Sequence, residues 1–477
     1  MMKFNLIRNL VLLGLIVVIH SCSKDDSPTN PQLDGERLTI FFINDPHGQI
    51  WNFSKVKHIV DREREINPTL VVSAGDLFSG NPIVDQHPDK GYPIIEMMNE
   101  VGFDISVIGN HEFDYGLETL QRRIDQSEFE WICANMDVNA SALERVDPYK
   151  TLTIGDTRVT FLGLVETYGR IGKTIPATHP WKIDGLSFEA YDEITGAYST
   201  LKEDTDADLL IALTHLGLSR DIALANEFPF FDLIIGGHSN DLSSANTNGI
   251  PVLMAGANLQ FLGKAQLVLK DNELVDYSFS MINLWDYQER DEELHLKIDE
   301  YYESPLLTDA IGFSETDMDL IGEIGCFYTT ALKEQMDVDL AIQNLGGIRS
   351  AILQGDITKF NIFTMDPFNN GSVIFEKSVG ELKQFLDETG LAISFTGLKI
   401  ALENEQVVFR DSNDNLLPDN HMIMLGINDF IPALYDEYFP IEDAIVKPLT
   451  TAETIIDYLE NNQPTVNFEG CDRLFWK

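Results

Sequence analysis

The chain has 477 residues, 44% of them hydrophobic, with 77 acidic against 33 basic side chains and a formal charge of −44. That length accommodates at least two domains with separate cores, and so negative a field excludes non-specific binding of polymeric nucleic acid. A phosphorylated small molecule would have to be drawn in by a local positive centre, and bound metal ions are the obvious supply.

At the N-terminus, Lys3 and Arg8 precede an apolar run from Leu10 to Ile19 that is too short to span a bilayer. Ile19-His20-Ser21-Cys22 follows, and a small residue before Cys at that place resembles a lipoprotein processing site with Cys22 as the lipidated first residue. His20 is unusual there, and simple cleavage is the alternative. The polar tract from Ser23 to Gly35 reads as a tether, and Ser23-Lys24-Asp25-Asp26 resembles the acidic export signal of surface-exposed lipoproteins. The expected organisation is a signal peptide over 1–21, a tether over 22–36, a catalytic domain over 37–285, a linker helix over 286–305 and a C-terminal domain over 306–477. The expected location is the bacterial cell envelope, facing the periplasm or the exterior.

From Leu38 onward short β-branched apolar runs end in polar clusters and alternate with amphipathic segments. The runs Leu38–Ile43, Thr69–Ser73, Ile105–Ile108, Val159–Val165, Leu209–Leu213 and Leu233–Ile235 read as buried strands, and Leu117–Ile124 as a helix. This predicts a layered α/β architecture. The strand ends carry Asn44-Asp45-Pro46-His47-Gly48, Ala74-Gly75-Asp76, Gly109-Asn110-His111-Glu112, Thr214-His215 and Gly236-Gly237-His238-Ser239-Asn240. Singly, each Asp reads as a cap and each His as a structural residue. Jointly, five strand ends in one domain deliver carboxylates, imidazoles and amides to the side of a sheet where ligands converge. Mixed carboxylate and imidazole donors suit zinc, manganese, iron or cobalt better than calcium.

Downstream, Leu294, Ile298 and Tyr301 fall at helical spacing within a charged stretch, and strands are expected near Leu340–Ile342, Val373–Phe375, Val407–Phe409 and Met422–Ile427. Beyond Cys22 the cysteines are Cys133, Cys326 and Cys471. Their odd number rules out complete pairing, and no CxxC pair offers a thiolate metal site. They read as small buried apolar residues with room for one disulfide.

Taken together the motifs resemble the calcineurin-like metallophosphoesterases, and their order matches the 5′-nucleotidase family over nearly the whole mature chain. The resemblance implies an N-terminal four-layer αββα sandwich and a C-terminal α/β domain that binds the nucleotide. It implies two divalent metal ions, one on Asp45, His47 and Asp76, with Asp76 bridging to a second on Asn110, His215 and His238. Asn240 stands where the family places a further His or Gln ligand to the first metal, with a shorter reach. His111 would face the substrate and Asp114 would orient it, although Asp114 also reads as an N-cap of the following helix. Asn344 and Arg349 lie in a segment similar to the family's Asn-Gly-Gly-Gly-Ile-Arg loop, where Arg349 would fork onto phosphate. Phe368 with Asn370, and Phe430, resemble the base-clamping segments, and Asp436 stands at the ribose-binding Asp; both rings also read as core aromatics.

Three departures weaken the substrate assignment. Leu434 and Tyr435 replace two glycines before Asp436, no arginine lies between Met318 and Cys326, and Cys326 stands where Asn usually follows Gly. The implied activity is hydrolysis of nucleoside 5′-monophosphates or related nucleotides. The alternatives are 2′,3′-cyclic phosphodiester or nucleotide-sugar pyrophosphate cleavage and, from another class, a non-catalytic surface binding lipoprotein.

Overall fold

The computed structural model describes residues 35–476 except 171 and 272, so the leader, the tether and Cys22 lie outside the described residues. Along the first strand, Glu36–Ile43, the period-two alternation of the extended chain sorts side chains into two cores. Leu38, Ile40 and Phe42 enter one cluster, and Phe41 and Ile43 enter another.

That strand sits within a seven-stranded sheet. It pairs in parallel with Thr69–Ser73, which pairs in parallel with Ile105–Val107. The hairpin Phe261–Lys270 and Glu273–Asn283 closes one edge antiparallel. A second, six-stranded sheet is built around parallel Thr157–Val165, Leu209–His215 and Leu233–Gly236. Leu209, Ile211 and Leu213 of this sheet meet Leu38, Ile40 and Phe42 of the first in one shared core. The opposite faces bury Leu210 and Ala212 against the helix Leu218–Glu227, and Phe41 and Ile43 against Phe53–Arg64 and Tyr92–Val101. The layer order is helix, sheet, sheet, helix.

The strand carrying His215 runs two residues past the apolar run to Leu209–His215, so this imidazole is part of the strand itself. The charged stretch forms the helix Glu292–Tyr302, whose N-cap Asp291 accepts from Leu294 N–H at 2.8 Å. Its Leu294 and Ile298 are buried in the helical layer of the N-terminal sandwich.

The C-terminal part is a six-stranded mixed sheet containing Leu340–Asn344, Gly371–Ser378 and Met422–Asn428. The helices Ile321–Met336 and Val379–Thr389 belong to separate apolar clusters on its two faces. The expected strand at Val407–Phe409 exists, but it pairs with Lys399–Glu403 in a separate hairpin. Among the described residues no helix is long and apolar enough to cross a membrane. Cys326, in the helix Ile321–Met336, is bonded to Cys471, while Cys133 is free and buried. Burial pushes the Cys133 thiol up to about 12, which makes it inert.

The disulfide closes a loop of 145 residues. On chain-entropy grounds such a crosslink stabilises by up to about 5 kcal/mol. Cys471→Ser is therefore expected to lower the unfolding midpoint in calorimetry to the value that a reductant gives the wild type. An unmoved midpoint would contradict this.

Candidate metal centre and interdomain cleft

The strand ends that carry the polar motifs turn sharply. Asp45, His47, Asp76, His238 and Asn240 all adopt positive φ, at 48°, 47°, 55°, 80° and 58°. A non-glycine residue held there costs on the order of 1–3 kcal/mol, and such strain persists only where surrounding contacts enforce it. Here His47 N–H donates to Asp76 O at 3.1 Å, and Asp45 N–H donates to Gly75 O at 3.1 Å. His238 N–H donates to both carboxylate oxygens of Asp45 at 3.0 Å. Gly237 permits the close approach of the two sheets, since a Cβ there would lie 2.6 Å from Ala74 O and 3.0 Å from His215 Nδ1.

These contacts aim the side chains inward. His47 Nδ1 is engaged by Ser79 O at 3.1 Å and His215 Nδ1 by Ala74 O at 2.7 Å, which leaves each Nε2 for the site. The ligand atoms of His47, Asp76 and His111 lie within 4.8 Å of one another, and so do those of Asp76, His215 and His238. Asp76 is common to both groups. Asn110 Oδ1 stands 3.0 Å from His238 Nδ1, beside the second group. In the first group His111 occupies the place that the resemblance gives Asp45, whose carboxylate is turned to the His238 backbone and Asn44. Asn240 is exposed and makes no hydrogen bond to any of these residues.

The donor set fits divalent cations. His215 Nε2 is fully buried and has no hydrogen-bond partner among the described residues, yet it lies 3.1 Å from Asp76 Oδ2. A buried imidazole nitrogen aimed at a carboxylate without hydrogen-bond alignment is a costly arrangement unless something binds between them. Burial lowers His47 and His238 to about 4, so both are neutral with lone pairs to offer. Burial opposes charge on His215 as well, but Asp76 overrides it and carries the imidazole up to about 10. Burial would raise Asp76, but His215 and His111 hold it well below the usual carboxylate range. Without a cation, then, a proton on His215 balances the Asp76 charge.

His111 differs from the other imidazoles. Burial opposes its protonation, but Asp114 and then Asp76 raise it to about 9, and Asp114 Oδ2 lies 2.7 Å from its Nδ1. Asp114 is not the helix cap: Gly116 holds that position before Leu117–Gln126. Glu112, within a motif singled out in the sequence but given no role there, is fully buried and accepts from Gly109 N–H at 2.6 Å, Leu77 N–H at 2.6 Å and Asp76 N–H at 3.1 Å. A glutamate one residue after the expected substrate-facing His111 was its only signal.

The cluster opens into a cleft of about 270 Å³ between the two domains. Asn344, Arg349, Phe368, Asn370 and Phe430 line it opposite Asn110, His111 and His238. Phe368 and Phe430 are only half-buried and belong to none of the apolar clusters, so neither is a core aromatic. Phe368 lies stacked on His111, with ring centroids 6.0 Å apart, and beneath the Arg349 guanidinium at 5.5 Å. Arg349 forms no ion pair among the described residues, and Asn370 Oδ1 is buried without a partner. Asp436 is not in the cleft. It pairs with Arg170 of the N-terminal domain, which holds its carboxyl below the usual range. Sequence reasoning also missed Ala177, Thr178 and His179, which form part of the cleft wall.

Residues 38–241 match the family described as calcineurin-like phosphoesterase, and residues 310–406 match the 5′-nucleotidase C-terminal domain. The chain belongs to the calcineurin-like phosphoesterases and carries the 5′-nucleotidase C-terminal domain after the phosphoesterase domain. It is 25% identical over 530 aligned residues to a 5′-nucleotidase of Vibrio cholerae, covering 90% of this chain and 91% of the relative. It is 27% identical over 415 residues to the trifunctional nucleotide phosphoesterase protein YfkN of Bacillus subtilis, covering 76% of this chain but only 28% of that much longer relative. Among solved structures, a 5′-nucleotidase precursor from Thermus thermophilus shares the fold with a TM-score of 0.76 at 19% identity, over 91% of this chain and 99% of the other.

Two outcomes follow from the centre. Asp76→Asn is expected to lower bound transition metal below one ion per chain by elemental analysis; wild-type content in this variant would contradict a shared carboxylate. Because a cation must displace the proton that His215 holds up to about 10 in its absence, affinity should weaken as pH falls and binding should release protons. Titration calorimetry in buffers of different ionisation enthalpy checks this, and a buffer-independent heat would count against it.

Proposed function

We propose that the chain hydrolyses nucleoside 5′-monophosphates or closely related nucleotides to nucleoside and phosphate, using two divalent cations. Asp76 would be shared, His47 would hold one cation, with Asp45 joining it by exchanging the His238 N–H and Asn44 contacts of its carboxylate for the metal, and Asn110, His215 and His238 would hold the other. Zinc, manganese, iron and cobalt suit these donors. When bound, such a pair supplies Lewis acidity toward phosphoryl oxygens and water. The observation that carries the reading is a single cleft joining the Asp76 cluster to the half-buried rings of Phe368 and Phe430.

The chain's own residues then have definable tasks. Asp114 takes His111 Nδ1 and its charge favours the protonated imidazole, so a proton at Nε2 is presented to the cleft. That proton can be given to the departing nucleoside oxygen. Arg349 offers a planar fork to phosphate oxygens. Together these cations supply the local positive charge that a chain of net charge −44 needs to bind an anion.

The extracytoplasmic location belongs to the same proposal. It is supported by the leader pattern ending in Cys22 and by the Cys326–Cys471 disulfide, a bond that persists in oxidising compartments. Attachment through lipidated Cys22 would hold the enzyme at the membrane surface.

Phosphate release from AMP, 2′,3′-cyclic AMP and UDP-glucose tests the activity, with AMP expected to dominate. UMP or glucose 1-phosphate as the main product from UDP-glucose would favour pyrophosphate cleavage instead. Phe430→Ala should raise the KM for AMP about tenfold, the scale of one base–aromatic stack. Hydrolysis of p-nitrophenyl phosphate should stay unchanged, and equal losses on both substrates would contradict a base-binding ring.

A further inference from the structure

Thr178 is a buried polar residue of the cleft with no role so far. Only 4% of it is exposed, and its Oγ1 has no hydrogen-bond partner among the described residues. A buried hydroxyl left unpaired is costly, and a satisfied one would be expected unless a ligand completes it.

Its position in the cleft is defined at both ends. The preceding residue faces the metal cluster, since Ala177 O accepts from Asn110 Nδ2 at 3.4 Å. The following residue faces the aromatic end, where the His179 ring meets Phe430 edge-on with centroids 5.8 Å apart. Thr178 therefore lies between the phosphate end and the base end. The segment is held rigidly. The buried Glu166 carboxylate accepts from Ala177 N–H and from Tyr168 N–H, and Glu166 N–H donates to His215 O at 2.9 Å. On the far side, His179 Nε2 contacts Asp429 Oδ1 at 3.1 Å.

In a nucleotide, the group between phosphate and base is the pentose, whose free polar atoms are hydroxyls. The C-terminal carboxylate that the sequence offers for the sugar, Asp436, is instead committed to Arg170. Leu434 and Tyr435, where the resembled family has glycines, immediately precede that paired carboxylate. We propose that Thr178 is a specificity-determining residue whose hydroxyl binds the sugar hydroxyls of the substrate, a task moved from the C-terminal domain to the catalytic domain. A threonine hydroxyl both donates and accepts, as a diol requires. This inference rests on the nucleotide reading above.

The test compares kcat and KM for AMP, 2′-deoxy-AMP, 3′-deoxy-AMP and p-nitrophenyl phosphate in the wild type, Thr178→Val and Thr178→Ser. The wild type should prefer AMP over at least one deoxy analogue by about tenfold, the worth of one hydrogen bond to a buried partner. Thr178→Val, which keeps the shape, should abolish that preference through the KM for AMP while leaving the deoxy analogue and p-nitrophenyl phosphate unchanged. Thr178→Ser should restore it. An undiminished preference in Thr178→Val overturns the inference alone. So does a parallel loss on p-nitrophenyl phosphate, which would make the hydroxyl structural, or a preference abolished only by Asp436→Asn. A wild type that cleaves p-nitrophenyl phosphate but no nucleotide overturns the nucleotide reading together with this inference.

Discussion

The arrangement depends on one carboxylate, Asp76, being held where imidazoles from both sheets can reach it. Its backbone is left-handed at φ 55°, its N–H is taken by buried Glu112 and its Oδ1 by the His111 N–H at 2.9 Å. Two sheets packed face to face bring their strand ends to a common rim, so residues distant in the chain become neighbours there. The price is backbone strain at several adjacent tips, and the dense hydrogen bonding around Asp45, His47 and His238 keeps that strain in place.

The second domain supplies what the first lacks. The catalytic sandwich presents donors for cations and the Asp114-paired imidazole of His111, while Arg349, Phe368 and Phe430 come from across the cleft. Lys90 Nζ to Asn369 Oδ1 at 3.2 Å, the His179–Asp429 contact and the Arg170–Asp436 pair fasten the domains around the cleft in this conformation. Phe368 stacked on His111 is part of the same closure, so its ring shapes the imidazole's surroundings as well as the cleft wall.

Much of the catalytic half was legible in the sequence, because buried parallel strands read as continuous apolar runs and their ends carry residue types with few other uses. The edges were not. Leu242–Thr247 is mostly Ser, Ala, Asn and Thr with alternating exposure, so it lacks the apolar run that marks a central strand. Asp114 could be read as cap or partner because both lie within one turn, and only the position of Gly116 decides between them. Asp436 carried the motif position but not its surroundings, since the pairing with Arg170 arises from how two domains meet. Thr178 and His179 had no motif at all; their significance comes from where Glu166 holds the chain.

The most direct measurement is an anomalous difference map from crystals of the manganese- or zinc-loaded protein. The account predicts two peaks flanking Asp76, about 3.5–4 Å apart. A single peak, or peaks away from Asp76, would contradict it.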